Sequence, residues 1–163
     1  MIQHNSNSKE SINKISTGGK NNIIESVSQQ VKVLSDEETL EGKKVNDNIK
    51  ELYYQIKEKF LEWDDVSFSA KTHYVSFKRN KKVFVYLNFR KEYIRVHMLS
   101  FLKTNWSDST QIEPKNKFIL DDHKKMFKVV ENDYKALYSY DIKNDNDLDY
   151  FYLMVKQKYN SFN

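Results

Sequence analysis

Residues 66–98, VSFSAKTHYVSFKRNKKVFVYLNFRKEYIRVHM, decide the fold of this chain. Apolar and polar residues alternate along most of this stretch, as side chains do on the two faces of a β-strand. Polar clusters at 78–82 and 90–92 interrupt the alternation and predict turns. Consecutive strands joined by such short turns pair antiparallel. The apolar residues of the four predicted strands are Val66, Phe68 and Ala70, then Tyr74, Val75 and Phe77, then Val83, Val85, Leu87 and Phe89, and finally Ile94, Val96 and Met98.

Helical spacing replaces the alternation on both sides of these strands. Before them, apolar residues recur at intervals of three and four over 45–63, and Asn48 and Glu51 are placed like a capping box. After them, we predict a helix from about Asp145 to Tyr159 with Asn144 as its N-cap. The buried stripe of this helix comprises Leu148, Phe151, Val155 and Tyr159.

The remaining sequence completes the predicted fold. One more strand is expected at Tyr134–Ile142, and the stretch 102–125, which contains the only proline, predicts a loop with a short strand at Phe118–Leu120. This order of elements predicts an α+β fold. Its antiparallel β-meander has about four or five strands, and an N-terminal and a C-terminal helix pack on one face.

The first 44 residues differ from the rest in composition. They are rich in Asn, Ser, Lys and Glu and show no sustained periodicity. We therefore expect residues 1–44 to form a flexible arm or linker and residues 45–163 to form a single α+β domain. The alternative is a short helix at Ile23–Leu34 that docks on the domain or on a partner. On the first interpretation, a chain starting near Glu41 keeps the melting behaviour of the whole protein.

Composition excludes several kinds of chemistry and location. The chain has 163 residues and no cysteine, so disulfides, thiolate zinc sites and cysteine nucleophiles are ruled out. No apolar run approaches the ~20 residues of a membrane-spanning helix, and the first residues lack the apolar core of a secretory signal. We therefore expect a cytoplasmic protein with no membrane partner.

The sequence contains no recognisable catalytic pattern. A metal-dependent nuclease of the restriction type needs carboxylates and a lysine on adjacent strands, but Ser76-Phe77-Lys78 holds no acid at the expected place. Asp121-Asp122-His123 is interpreted as a solvated acidic loop, and the four histidines lack the spacing of a helical zinc pair. We expect no enzyme activity, no metal and no cofactor.

Charge is unevenly distributed along the chain. The net charge is only +4, yet residues 71–103 carry nine basic residues and a single acid, Glu92. The segments 45–70 and 121–149 are both acidic. Clustered Lys and Arg attract polyanions, so the basic segment is a candidate nucleic-acid surface.

Strand alternation also places residues on the sheet face away from the helices. They are Phe84, Tyr86 and Asn88 on the third strand and Tyr93, Arg95 and His97 on the fourth. Aromatic side chains on such a face stack bases while Lys and Arg neutralise phosphates. We therefore predict a non-enzymatic accessory module that binds DNA or RNA. The predicted binding residues are Lys71, Lys78, Arg79, Lys81, Lys82, Phe84, Tyr86, Arg90, Lys91, Tyr93 and Arg95.

A second class of function fits the same residues. Interface cores are enriched in Tyr, Phe and Arg, so the aromatic face also suits docking on a nuclease-like partner or on a second copy of the chain. The two basic turns lie at opposite ends of the third strand and need not form one surface. A monomer that binds oligonucleotide in a salt-sensitive way indicates the first function, and a salt-insensitive dimer indicates the second.

Three segments resemble a known family: LEGKKVNDNIKELYYQIKEKF (40–60), AKTHYVSFKRNKKVFVYLNFRKEYIRVHM (70–98) and NDNDLDYFYLMVKQKYN (144–160). The family is a domain of unknown function found at the C-terminus of bacterial and archaeal proteins that are often labelled predicted transport proteins. The resemblance implies a helix, a lysine-marked strand, a basic hairpin and a terminal helix over about residues 40–160. It also implies attachment to a nuclease-like N-terminal half, and it implies no activity. The family's glycine-rich segment with a tryptophan reads ENDYKALYSYDIK (131–143) in this chain and has neither residue.

Overall fold

The computed structural model describes residues 33–103 and 117–162. The described residues from Leu34 onward belong to one compact unit. Most of the predicted segment Ile23–Leu34 lies outside the described residues. The helices are α1 (Asp36–Gly42), α2 (Asp47–Leu61) and α3 (Leu148–Asn160), and the strands are β1 (Val66–Ala70), β2 (Tyr74–Arg79), β3 (Lys82–Phe89), β4 (Ile94–Leu102), β5 (Lys128–Glu131) and β6 (Lys135–Ile142).

The six strands form one antiparallel sheet in the order β1-β2-β3-β4-β6-β5. The first four follow one another as a meander, as the alternation predicts. β6 then pairs with β4 and places β5 at the edge of the sheet. The predicted α+β class with flanking helices is therefore confirmed, while the last two strands depart from a simple meander.

The segment around Phe118 is attached to β4 without forming a strand. The N–H of Phe118 donates to the carbonyl oxygen of Ser100 at 2.9 Å, and the Ser100 hydroxyl donates back to the Phe118 carbonyl at 2.7 Å. The predicted strand at Phe118–Leu120 is therefore wrong. β5, which was not predicted, forms ten residues later, where Val129 and Val130 are too short an apolar run to give a period.

A cluster of aromatic rings joins the sheet to α2 and α3. The ring centroid of Phe60 lies 5.0 Å from that of Phe77, 5.6 Å from that of Phe84 and 6.0 Å from that of Phe151. Tilted and edge-on pairs of this kind stabilise a core beyond the burial of apolar area. The four residues of the predicted stripe on α3 are all buried, which confirms that prediction.

A β-bulge between β2 and β3 changes which residues face the helices. Phe77 pairs with Val85, but the next residue, Lys78, pairs with Val83, so Phe84 is an extra residue in β3. Phe84 is 1% exposed and packs on the helix side of the sheet. The prediction that Phe84 faces away from the core is therefore wrong, and Val83, opposite Lys78, takes the other face. Strict alternation holds only after the bulge.

α1 shows that the domain begins earlier than predicted. Ser35 and Glu38 form a capping box, with N–H to side-chain oxygen distances of 2.9 and 3.2 Å. Leu40 is 1% exposed, and the Thr39 hydroxyl donates to the carbonyl oxygen of Lys71 at 2.7 Å. The predicted boundary at residue 44 therefore falls too late.

Both long helices begin at a different residue from the one predicted. The side chain of Asn46 caps α2 with a 3.0 Å hydrogen bond, so Asn48 lies inside the helix. α3 begins at Leu148 rather than Asp145, and the Asn144 side chain closes the preceding turn instead. Asn and Asp side chains close turns as readily as they cap helices, so such residues locate a helix start only to within a few positions.

A buried carboxylate links α1 to α2. Asp36 Oδ2 accepts hydrogen bonds from the Tyr53 hydroxyl at 2.8 Å and from the Lys57 ammonium at 2.6 Å. Burial raises the pKa of Asp36, but the hydrogen bonds from Lys57 and Tyr53 and the charge of Lys57 outweigh burial and bring this pKa below its ordinary value. The folded state therefore favours the ionised carboxylate.

Asp36→Asn should lower the free energy of unfolding by about 1 to 3 kcal/mol at neutral pH, because it weakens two charge-assisted hydrogen bonds. Since the pKa of Asp36 is lowered by folding, this contribution is present above the unfolded-state pKa of about 3.9 and is lost as the pH falls through the folded-state pKa. Urea unfolding of both proteins at decreasing pH should show that the difference between their unfolding free energies shrinks. A difference that does not change with pH would contradict the stabilising role of the ionised Asp36. Glu58→Gln, which changes an exposed carboxylate on α2, is the control.

Candidate ligand site on the open sheet face

We call the sheet face opposite the helices the open face. Residues directly opposite each other on antiparallel strands project to the same face, so the strand register defines its rows. The first row is Tyr74, Asn88, Arg95 and Asp141, the second is Ser76, Tyr86, His97, Ser139 and Lys128, and the third contains Leu99, Leu137 and Val130.

A pocket of about 350 Å³ lies on the open face. This volume falls within the ~300 to 1,000 Å³ that is usual for small-ligand sites. Four neighbouring strands, β2, β3, β4 and β6, build it, so the pocket exists only when the sheet is assembled. The lining residues are Tyr74, Tyr86, Asn88, His97, Leu99, Leu102, Lys135 and Leu137.

Two tyrosines form the aromatic part of the pocket. The ring centroids of Tyr74 and Tyr86 are 5.5 Å apart with an interplanar angle of 72°, which is an edge-on contact. Burial and the neighbouring Tyr74 raise the pKa of Tyr86, so its hydroxyl stays protonated at neutral pH. Both side chains are half-buried, which leaves part of each ring available to a planar ligand.

Asn88 and His97 form the polar part of the pocket. The side-chain nitrogen of Asn88 donates to the carbonyl oxygen of Arg95 at 3.2 Å and lies 3.2 Å from Nδ1 of His97. Burial is the largest cause that lowers the pKa of His97, followed by the nearby positive charges of Arg95, Lys135 and Arg90. His97 is therefore neutral at neutral pH.

An ion pair borders the pocket on the side of the β3–β4 turn. Arg95 binds both carboxylate oxygens of Asp141, with its Nε at 2.8 Å and its Nη2 at 2.9 Å. Hydrogen bonds from Arg95 are the main cause that lowers the pKa of Asp141. The Tyr93 hydroxyl accepts from Arg95 Nη2 at 3.4 Å. Asp141 therefore balances the charge of Arg95, which is one of the predicted phosphate ligands.

The other predicted basic residues fall into two groups. Lys81 and Lys82 lie at the β2–β3 turn, whereas Arg90 and Lys91 lie at the β3–β4 turn with Lys71 nearby at the β1–β2 turn. β3 has eight residues, so about 23 Å of strand separates its two ends. The structure thus does not bring the predicted basic residues into one patch.

Arg79 has a contact within the fold. Its guanidinium donates to the carbonyl oxygen of Tyr159 at 3.1 Å and lies 4.2 Å from the centroid of the Tyr159 ring. A cation at the C-terminal end of α3 also interacts favourably with the helix dipole. Three of the predicted binding residues, Arg79, Phe84 and Arg95, thus have contacts within the fold. The other predicted binding residues are Lys71, Lys78, Lys81, Lys82, Tyr86, Arg90, Lys91 and Tyr93.

Sequence reasoning missed several residues of the pocket. Tyr74 had a readable signal, because period two from the buried Val75 and Phe77 places it on the open face. Lys135 and Leu137 had none, because their position depends on the pairing of β6 with β4. Local periodicity shows on which face of the sheet a side chain lies, but it does not show which strand lies beside it.

Asp122 of the predicted acidic loop has a structural role. Its carboxylate accepts hydrogen bonds from the Tyr150 hydroxyl and from the N–H of Phe127, the latter at 2.7 Å, and these bonds close the loop before β5.

Within the described residues, no group of three or more His, Cys, Asp or Glu side chains is arranged to hold a metal ion. None of the helices in 33–103 and 117–162 has the length and apolarity to cross a membrane.

These features define an α+β domain with one helix-covered sheet face and one open face that carries a polar and aromatic pocket. The chain belongs to the family described as a domain of unknown function, DUF5655, which matches residues 36–154. The match begins at the first residue of α1, which agrees with a domain that starts before residue 44. No match to this chain was found among the curated proteins or the solved structures.

Proposed function

We propose that this domain is a non-enzymatic accessory module that binds single-stranded DNA or RNA on its open face. The observation that carries the proposal is the pocket, in which the rings of Tyr74 and Tyr86 lie beside the polar groups of Asn88 and His97. Sheet faces with accessible aromatic rings bind unpaired bases by stacking, and nearby cations neutralise the phosphates.

The charge of the open face supports the same proposal. Lys78, Lys128 and Lys135 lie on this face, and none forms an ion pair with another described residue. Among the described residues of this face, the one ion pair, between Arg95 and Asp141, has no net charge. Three separated lysines attract a phosphate backbone without a dense basic patch, which fits moderate and salt-sensitive binding.

Tyr86→Ala should weaken the binding of a fluorescent single strand of about 12 nucleotides by about tenfold, because stacking on one aromatic ring contributes about 1 to 3 kcal/mol per base. Fluorescence anisotropy at low salt measures the dissociation constants. Tyr54→Ala is the matched control, because Tyr54 is an exposed tyrosine on α2, away from the pocket. It should bind like the unmodified protein.

Two results would contradict this placement of the site. One is equal affinity of the Tyr86→Ala and Tyr54→Ala variants for the strand. The other is a large loss of affinity when Lys81 and Lys82 are both changed to Gln, since these residues lie at the turn and outside the pocket. The second result would place the binding site at the β2–β3 turn.

A protein-interaction role is the second candidate, and the edge strand β5 favours it. Val129 and Val130 are 64% and 49% exposed, and β6 is the only strand paired with β5 among the described residues. Exposed strand edges pair readily with other strands, so a nuclease-like partner or a second copy fits this edge. A salt-insensitive dimer in light scattering that is abolished by Val130→Lys would favour this candidate over the first.

A further inference from the structure

Besides the rings of Tyr74 and Tyr86, the pocket has a polar end, an apolar middle and a basic end. Asn88 and His97 form the polar end, and Leu99 lies directly opposite Leu137 in the middle. Lys135 stands at the basic end. Along β6, Lys135 is four residues from the position opposite His97, a distance of about 13 Å.

The fold fixes the hydrogen-bonding directions at the polar end. The carbonyl oxygen of Arg95 only accepts, so the Asn88 atom that faces it is the side-chain nitrogen. The same nitrogen faces Nδ1 of His97, so Nδ1 of the neutral ring is the acceptor and the ring proton lies on Nε2. The polar end therefore offers one acceptor, Asn88 Oδ1, and one donor, His97 Nε2–H.

A nucleotide has groups that complement all three parts of the pocket. The pairing edge of each base carries an N–H donor beside a nitrogen or oxygen acceptor, which matches Asn88 Oδ1 and His97 Nε2–H. Leu99 and Leu137 offer apolar contact to the base and sugar. The ammonium of Lys135 suits a phosphate, which it binds through charge-assisted hydrogen bonds.

We infer that the pocket holds one nucleotide unit, with the base at Asn88 and His97 and the phosphate at Lys135. This inference rests on the proposed function and names the unit that the open face binds. The same chemistry belongs to a free nucleoside monophosphate and to one nucleotide within a strand. Because each base carries both a donor and an acceptor, weak discrimination among bases is expected.

The test compares UMP with uridine, titrated by NMR into the unmodified chain and into its Lys135→Gln variant. UMP should bind the unmodified chain about tenfold more tightly than uridine, because the phosphate adds a charge-assisted hydrogen bond. In Lys135→Gln the ratio of the uridine dissociation constant to the UMP dissociation constant should fall to about threefold or less, while the affinity for uridine stays unchanged. Lys128→Gln, on the open face but outside the pocket, should keep the ratio. Thermal melts check that both variants fold.

The outcomes separate this inference from the proposed function. A ratio that Lys135→Gln does not change, or equal binding of UMP and uridine to the unmodified chain, overturns the inference. Binding of the oligonucleotide without binding of UMP also overturns it and leaves the proposed function standing. Binding of UMP without the oligonucleotide supports the inference for a free nucleotide and contradicts strand binding. If neither binds, both proposals fall.

Discussion

Phe84→Ala should lower the free energy of unfolding by about 3 to 5 kcal/mol, the usual cost of removing a phenyl ring from a packed core. The ring of Phe84 is 1% exposed, and its centroid lies 5.6 Å from those of Phe60 and Tyr159 and 5.9 Å from that of Trp63. Truncation to Ala leaves a cavity among β3, α2 and α3. Because domains are stable by only about 5 to 15 kcal/mol, urea unfolding should show a severely destabilised variant.

Tyr86→Ala is the matched control for this prediction. Tyr86 is two residues from Phe84 on the same strand but on the open face, so its truncation should cost about 1 kcal/mol or less. Leu87 is 0% exposed, so Leu87→Ala should lower the free energy of unfolding by about 2 to 5 kcal/mol. If Phe84→Ala and Tyr86→Ala unfold at the same urea concentration, the bulge and the face assignments are wrong.

A chain that starts at Glu41 should be strongly destabilised, contrary to the expectation from composition. It lacks the Leu40 side chain, which is 1% exposed, and the carboxylate of Asp36 that binds Tyr53 and Lys57. Loss of a buried leucine alone costs about 2 to 5 kcal/mol, and loss of the buried hydrogen bonds adds to it. Thermal melts of the shortened and full chains measure the difference.

Leu40→Ala in the full chain separates packing from the loss of the helix. It should cost about 2 to 5 kcal/mol, which is less than truncation at Glu41. A chain that starts at Val33 keeps α1 whole and should melt like the full protein. Unchanged melting of the chain that starts at Glu41 would show that α1 adds nothing to the domain.

Most of the fold follows from local patterns in the sequence. Residues 66–98 show a period of two, and the strands β1 to β4 lie where that period places them. The errors occur where local patterns carry no information. The bulge at Phe84 shifts the period by one residue without any Gly or Pro to mark it, and α1 is too short, at seven residues, to show a helical repeat.

The candidate site was predictable only in part. Tyr86, Asn88 and His97 belong to strands whose faces the alternation assigns after the bulge, and the structure places all three in the pocket. Lys135 was not predictable, because it reaches the pocket through the pairing of β6 with β4, which are separated by more than 30 residues. Nor was the pairing of Arg95 with Asp141, which depends on the same contact.

Mapping of backbone amide shifts by NMR during titration with a short single-stranded oligonucleotide tests the central claim most directly. Binding on the open face predicts that the largest shifts cluster at the pocket residues of β2, β3 and β4, among them Tyr86, Asn88 and His97, and that they fade as salt is added. Shifts confined to the Lys81–Lys82 turn or to β5, or the absence of any shift at low salt, would contradict the claim.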